Sequence, residues 1–345
     1  MFATHFQSEA NASFEVTASQ PIAMVALRGN QASDFLWENS AVPLPVPDPG
    51  PVPPSRIDYS LTFDPNQRVS VMVGGYDENF DLLDDTWFWN GRRWREAETQ
   101  GSPLPRSHHG AAYDGNAGKT IIFGGVETQF QRRNDFKCFD GFAWQDFAGS
   151  PAIPAEDGEL VFDSQRNFLV LAVSSGNALQ TWEYRNGQWA RKVTATNPGR
   201  RIDQGFVYDT ARHRIVMFGG YGPGNQIVDE TWEYDGDDWV LMTPADSPPA
   251  LAGTAMYFDS VRNRVVLFGG MNGQHAVTNQ TWEYDGTAWT PVDTPNPPEP
   301  RWVAFAAFDP KRGIATLFGG EGIDETGLIM FGDTWEYDGT DWLKR

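Results

Sequence analysis

The chain has 345 residues, a formal net charge of −20, 14 Trp, 23 Phe, 35 Gly, 24 Pro and a single cysteine. So acidic a chain offers no basic face for a nucleic-acid backbone, and no apolar run reaches the length of a membrane span. One cysteine, Cys138, excludes a disulfide framework and a cysteine-rich zinc site, and fits any cellular compartment.

The N-terminal sequence MFATHFQSEANAS lacks the basic start and apolar core of a signal peptide. Residues 1–42 form a segment of their own. Ser13–Ser19 and Ile22–Arg28 read as two strands separated by a Gln-Pro turn, which must pack on something else to bury a core. Residues 43–55, rich in proline, form a stiff linker.

From Arg56 to the C-terminus the chain repeats. Gly-Gly pairs stand at 74–75, 124–125, 219–220, 269–270 and 319–320, spaced near 50 once a degraded unit at Val173-Ser174 is counted. One period runs through an apolar strand to Asp209, a short turn, a second strand ending at Gly219-Gly220, and a variable loop. It closes with Thr231-Trp232-Glu233-Tyr234, an Asp-Gly turn and Trp239. Alternation in the Thr-Trp-Glu-Tyr strand indicates one buried face, and Asp-Gly suits a tight hairpin. The turn aspartates Asp64, Asp114, Asp163, Asp209, Asp259 and Asp309 count six units. Four strands per unit predict an all-β fold: a six-bladed β-propeller of four-stranded antiparallel blades over residues 56–345. Unit six would close the ring on unit one, with an exchanged N-terminal strand as an alternative.

These six units resemble the kelch-repeat β-propellers, especially the bacterial form with YD, R, VLFGG, DTWEYDG and W. The resemblance implies the fold, and an extracellular or cell-surface setting; residues 13–28 are similar to closing strands of bacterial surface-protein sandwiches. Members of such families include interaction modules, a copper-radical oxidase, a sialic-acid mutarotase and plant specifier proteins, so function does not follow from fold.

The repeated Gly, Trp and Tyr read as structural, and the recurring Glu183, Glu233, Glu283 and Glu336 as a repeated ion pair. Eight residues before each turn aspartate stand Arg56, Arg106, Ala155, Arg201, Leu251 and Arg301. This position begins the innermost strand, so the arginines are expected to ring one mouth of the central channel and grip an acidic group. The competing reading pairs each arginine with a carboxylate of an adjacent blade. Neighbouring side chains vary from unit to unit, as recognition residues do. Arg56, Arg106, His109, Arg201, Asp203, Arg301 and Trp302 are the candidate ligand-binding set. Of the pair His108-His109, strand alternation sends at most one into the channel.

No catalytic residue, metal site or cofactor is assigned, because no HxH, HExxH or clustered-carboxylate spacing occurs. The oxidase reading would need Cys138 crosslinked to tyrosine, whereas KCF reads as packing. The expectation is a monomeric, non-catalytic binding scaffold presenting loops and an arginine-lined mouth to a protein or to an acidic or sugar ligand. The alternative is a carbohydrate-active enzyme, mutarotase-like or lyase-like, at the same mouth. The degraded units two and three are the first place to look for a specialised site.

Overall fold

In the computed structural model the described residues are 2–7, 13–18, 50–128, 131–147, 153–154, 158–325 and 327–345. They divide into two compact units between Gly50 and Pro51. In the first, Phe2–Gln7 pairs antiparallel with Ser13–Ala18. The second of these strands agrees with the sequence reading, but its partner lies upstream; the expected strand at Ile22–Arg28 falls outside the described residues.

The second unit is a ring of six antiparallel blades. Blade four shows the plan: Gly205–Asp209 pairs with Arg214–Phe218, then Thr231–Tyr234, then Trp239–Met242. Blades two, three, five and six repeat this order from their own segments. Blade one does so with its inner strand broken into Arg56–Ile57 and Ser60–Asp64 by the positive φ of Asp58. No described blade borrows a strand. Inner strands neighbour one another around the ring, and Phe305–Asp309 of blade six returns to Ser60–Asp64 of blade one.

Closure on blade one reuses the bonds that join the other blades. The Gly320 N–H donates to the Arg56 carbonyl (3.0 Å), as Gly220 does to Leu251 (2.8 Å) and Gly270 to Arg301 (2.8 Å). The paired glycines are required there. Gly220 has φ 83° and a Cβ would sit 2.6 Å from the Ile202 carbonyl oxygen, so any side chain meets both strain and backbone. Blade three replaces the pair with Val173-Ser174. The Ser174 hydroxyl donates to the Arg201 carbonyl (2.6 Å) and accepts from its N–H (2.9 Å), so a side chain supplies the link.

The aromatic repeat builds the seams between blades. The fourth-strand tryptophan donates its Nε1 proton to the threonine of the preceding blade: Trp144 to Thr86, Trp239 to Thr181, Trp289 to Thr231, Trp342 to Thr281, and Trp94 to Thr334 across the closure. The glutamate of the third strand takes the turn arginine, as in Glu233 with Arg212 and Glu336 with Arg312. Each turn aspartate accepts two backbone N–H groups, as Asp209 does from Ala211 (2.9 Å) and Arg212 (3.0 Å). The glutamates are therefore framework, as expected. Blade two carries Phe136, Lys137, Cys138 and Phe139 where the others place Thr-Trp-Glu-Tyr or its close variants, and Cys138 is buried in that blade's core.

Candidate functional site

Antiparallel order puts the start of each inner strand, the Gly-Gly end of each second strand and the variable second-to-third loops at one end of the ring. Those loops, including Asp77–Asp84, Tyr221–Val228 and Met271–Asn279, share this end with the candidate residues. Blade three has instead a tight hairpin, Phe168–Ser175 to Ala178–Arg185, and presents the least loop there. Blade six adds a hairpin of Glu321–Asp324 with Gly327–Met330.

The arginines do not face the channel. Arg56, Arg106 and Arg301 are 0 % exposed and Arg201 is 2 %. Each guanidinium is held by a carboxylate of its own blade, not of the neighbour. Arg56 takes Asp85 with two bonds of 2.7 Å, and Arg106 takes Asp135 with bonds of 3.1 and 3.0 Å. Arg201 pairs with Glu230, and Arg301 with Asp333 (2.6 and 3.3 Å). The same guanidinium groups donate to the first glycine's carbonyl in blades one, two and six. The expectation of an arginine-lined mouth is corrected in this respect: the forked donors staple second-to-third loop to inner strand.

The sequence carries a signal for this pairing. The acid stands two residues before the third-strand tryptophan, which also bonds it: Trp87 to Asp85, Trp232 to Glu230, Trp335 to Asp333. Where the arginine is replaced, by Ala155 and Leu251, the acid is replaced by Gln180 and Gln280. Charge appears and disappears as a pair.

What does face the channel follows two and three residues later. Asp58, His108, Asp203, Gly253 and Val303 all have positive φ, between 47° and 64°. Their backbones link blade to blade: His108 N–H to Asp58 O (2.9 Å), Gly253 N–H to Asp203 O (2.8 Å), Val303 N–H to Gly253 O (2.8 Å). This turn also breaks strand alternation, so His108 and His109 both line the channel, contrary to the sequence expectation.

The channel at this end is lined by Asp58, His108, His109, Glu159, Asp203 and Gln204, with Thr254 and Phe305 among the other walls. His108 Nε2 lies 3.3 Å from Asp58 Oδ2, and the His108 ring meets Tyr76 edge-on with centroids 6.3 Å apart. Glu321 is buried. Burial, then the nearby Asp58 carboxylate, push its carboxyl above the usual range against a hydrogen bond from Trp302. Burial, and then Asp203, push the Tyr221 hydroxyl up. Burial, with the charges of Arg106 and His108, holds the His109 imidazole well below its ordinary value, so the ring is neutral.

No family model matches the chain, and no curated protein matches it. Among solved structures, a chain reported as "Structure of YjhT" aligns with a TM-score of 0.63 at 12 % identity, over 85 % of this chain and 98 % of that one. The likeness is one of fold.

Of the candidate set, Asp203 and His109 line the channel, Trp302 bonds Glu321, and the four arginines are buried in their blades. Asp58 and His108, among the neighbours that vary from unit to unit, line the channel as well, and Glu159 is the lining residue that the arginine emphasis overlooked. Glu156 and Asp157, at the corresponding place in blade three, fall outside the described residues. Among the described residues no group of three or more His, Cys, Asp or Glu side chains is arranged to hold a metal.

Proposed function

We propose that the protein is a binding module that takes a sugar at the channel mouth through carboxylates and aromatic rings. The kelch-type, bacterial assignment belongs with this proposal and rests on the repeated phrase. One observation carries it: the four repeat arginines are buried against acids of their own blades, while Asp58, Glu159 and Asp203 line the channel with His108 and Phe305, and Tyr76 packs edge-on against His108. Carboxylates accept from sugar hydroxyls, and aromatic faces cover apolar sugar faces. An acidic ligand would meet like charge there, so that branch of the expectation gives way to the sugar branch.

A glycan array probed with the purified chain tests the reading. Binding to at least one glycan, lost in Asp203→Asn, supports it; an array without binding, or binding indifferent to Asp203→Asn, refutes it.

A catalytic version is favoured by one pairing. Glu321 retains its proton to higher pH beside Asp58, whose carboxylate lies against His108, which gives an acid and a base at one mouth. Under that reading the protein speeds anomer interconversion of the bound sugar, followed by NMR exchange spectroscopy, and Glu321→Gln removes the acceleration.

A further inference from the structure

Three of the variable loops at the mouth end share one fold. In blade one the Phe80 N–H donates to the Asp77 carbonyl (2.9 Å) and the Asp77 N–H to the Asp81 carbonyl (3.1 Å). Blade four makes the same two bonds, from Asn225 to Gly222 (3.1 Å) and from Gly222 to Gln226 (2.8 Å). Blade five makes them from His275 to Asn272 and from Asn272 to Ala276, each 2.9 Å. The residue at the tip is left-handed in all three, with φ 58° at Phe80, 58° at Asn225 and 60° at His275. Asparagine and histidine tolerate that conformation, whereas a bulky side chain there is an outlier. Blade one thus carries the least suited residue type at its tip. Its loop is held in shape by the Asp77 carboxylate, which accepts the N–H groups of Asn79 and Asp81 (2.9 Å each).

Burial does not explain the phenyl ring, because Phe80 is 61 % exposed. Its neighbours point to another role. His108 lines the channel, and Tyr76 meets it edge-on with centroids 6.3 Å apart. Phe80 lies 6.4 Å from Tyr76, tilted by 57°. Contacts between rings therefore run from the channel wall to an open ring on the rim, in steps on the scale of one sugar residue. A residue that is poor for its backbone and unburied, yet fixed by a firm loop, is where a fold departs from local preference for the sake of function.

We propose that Phe80 is the platform of a second sugar subsite, and that the ligand is a neutral oligosaccharide of β-linked, gluco-configured residues. One residue sits at the channel among Asp58, Glu159 and Asp203, and the next lies against the Phe80 ring. A gluco-configured residue carries its hydroxyls equatorially and so turns a flat apolar face to an aromatic ring. Glu78 and Asp81, both exposed, flank Phe80 in the chain and disfavour sugars that carry acidic groups. The inference rests on the mouth being the sugar site, and its test separates the two claims.

The full chain is titrated by calorimetry with methyl β-glucoside, cellobiose and cellotriose. Cellobiose is expected to bind at least about tenfold more tightly than methyl β-glucoside. Phe80→Asn gives the loop the tip residue of blade four. It should bring cellobiose within about twofold of methyl β-glucoside, leave the latter unchanged, and melt at or above the parent temperature. Phe80→Trp, with a larger face, should keep the preference for cellobiose. Equal affinity of the parent for the two ligands overturns the second subsite and leaves the sugar site at the mouth standing. A preference that survives Phe80→Asn, or a Phe80→Asn protein that melts well below the parent, overturns the role of Phe80. Cellobiose binding that is lost in Phe80→Asn and untouched by Asp203→Asn upholds the platform and overturns the mouth as the sugar site. Binding of none of the three overturns this inference, and the glycan array then decides the sugar reading by itself.

Discussion

Arg301 and Asp333 face each other in blade six, with Nη1 2.6 Å from Oδ1 and Nη2 3.3 Å from Oδ2; at the same two places blade five carries Leu251 and Gln280. The chain thus contains both solutions to one packing problem, a buried ion pair and a neutral pair. That gives a direct test of what the arginines are for. Arg301→Leu alone leaves Asp333 buried with only Trp335 and Lys344 and should cost about 3 kcal/mol. Adding Asp333→Gln should recover most of the loss, because the blade then carries the blade-five pair. Urea unfolding of the single and double variants measures both numbers.

A second seam tests the aromatic repeat. Trp189 stacks on Phe136 at 4.6 Å between centroids and 23° between planes, and its Nε1 has no partner. The other five blades give that nitrogen a threonine. Phe136→Thr would restore a hydrogen bond of about 1 kcal/mol and remove a buried phenyl group costing about 3–5 kcal/mol. The variant should therefore be less stable by about 2–4 kcal/mol, and a stabilised variant in urea unfolding would contradict the packing account.

Much of this was readable in the sequence because each blade repeats the same structural requirement. The 50-residue spacing, the turn aspartates and the Thr-Trp-Glu-Tyr phrase recur since every blade must turn, approach its neighbour and fill a seam in the same way. The role of the arginines was hidden because their partners lie 29 residues later in blades one, two and four and 32 later in blade six, as in Arg56 to Asp85 and Arg301 to Asp333. Pairing across a sheet is set by register, which a local motif does not display. The joint loss of charge at Leu251 and Gln280 was the available clue. The orientation of Asp58 and His108 was hidden for another reason. Their positive φ reorients the chain at the mouth, so simple alternation misassigned which side chains face the axis. The short strand Phe2–Gln7 carried too little patterning to stand out.

Acid should weaken the ring. Burial pushes the Glu336 carboxyl up, but Arg312, Arg345 and Trp89 more than offset this and hold it below the usual range; Asp285, bonded by the Thr287 hydroxyl and the Ala288 and Thr287 N–H groups, is held at about 2. A carboxyl with a lowered folded pKa contributes stability above its unfolded pKa and loses it as pH falls through the folded value. The contribution of these two carboxylates to the melting temperature should be fully present above about pH 5 and be lost from there towards pH 2. In Glu336→Gln the fall should be shallower, from a lower starting point.

Glu321 should behave with the opposite sign. Its raised folded pKa means that the stability present below its unfolded pKa is lost as pH rises through the folded value. Glu321→Gln should then melt at a higher temperature than the parent at pH 7 while binding sugar more weakly. A variant that loses stability at pH 7 would show the carboxylate to be framework.

The most direct test sets the mouth against the arginine layer behind it. Affinity for a glycan identified on the array is measured by calorimetry in Asp203→Asn and in the paired variant Arg201→Leu with Glu230→Gln. Asp203→Asn should lose at least about tenfold in affinity with little change in melting temperature, while the paired variant retains affinity within about twofold. Loss of binding in the paired variant, with Asp203→Asn unaffected, would contradict the account and return the ligand to the arginines.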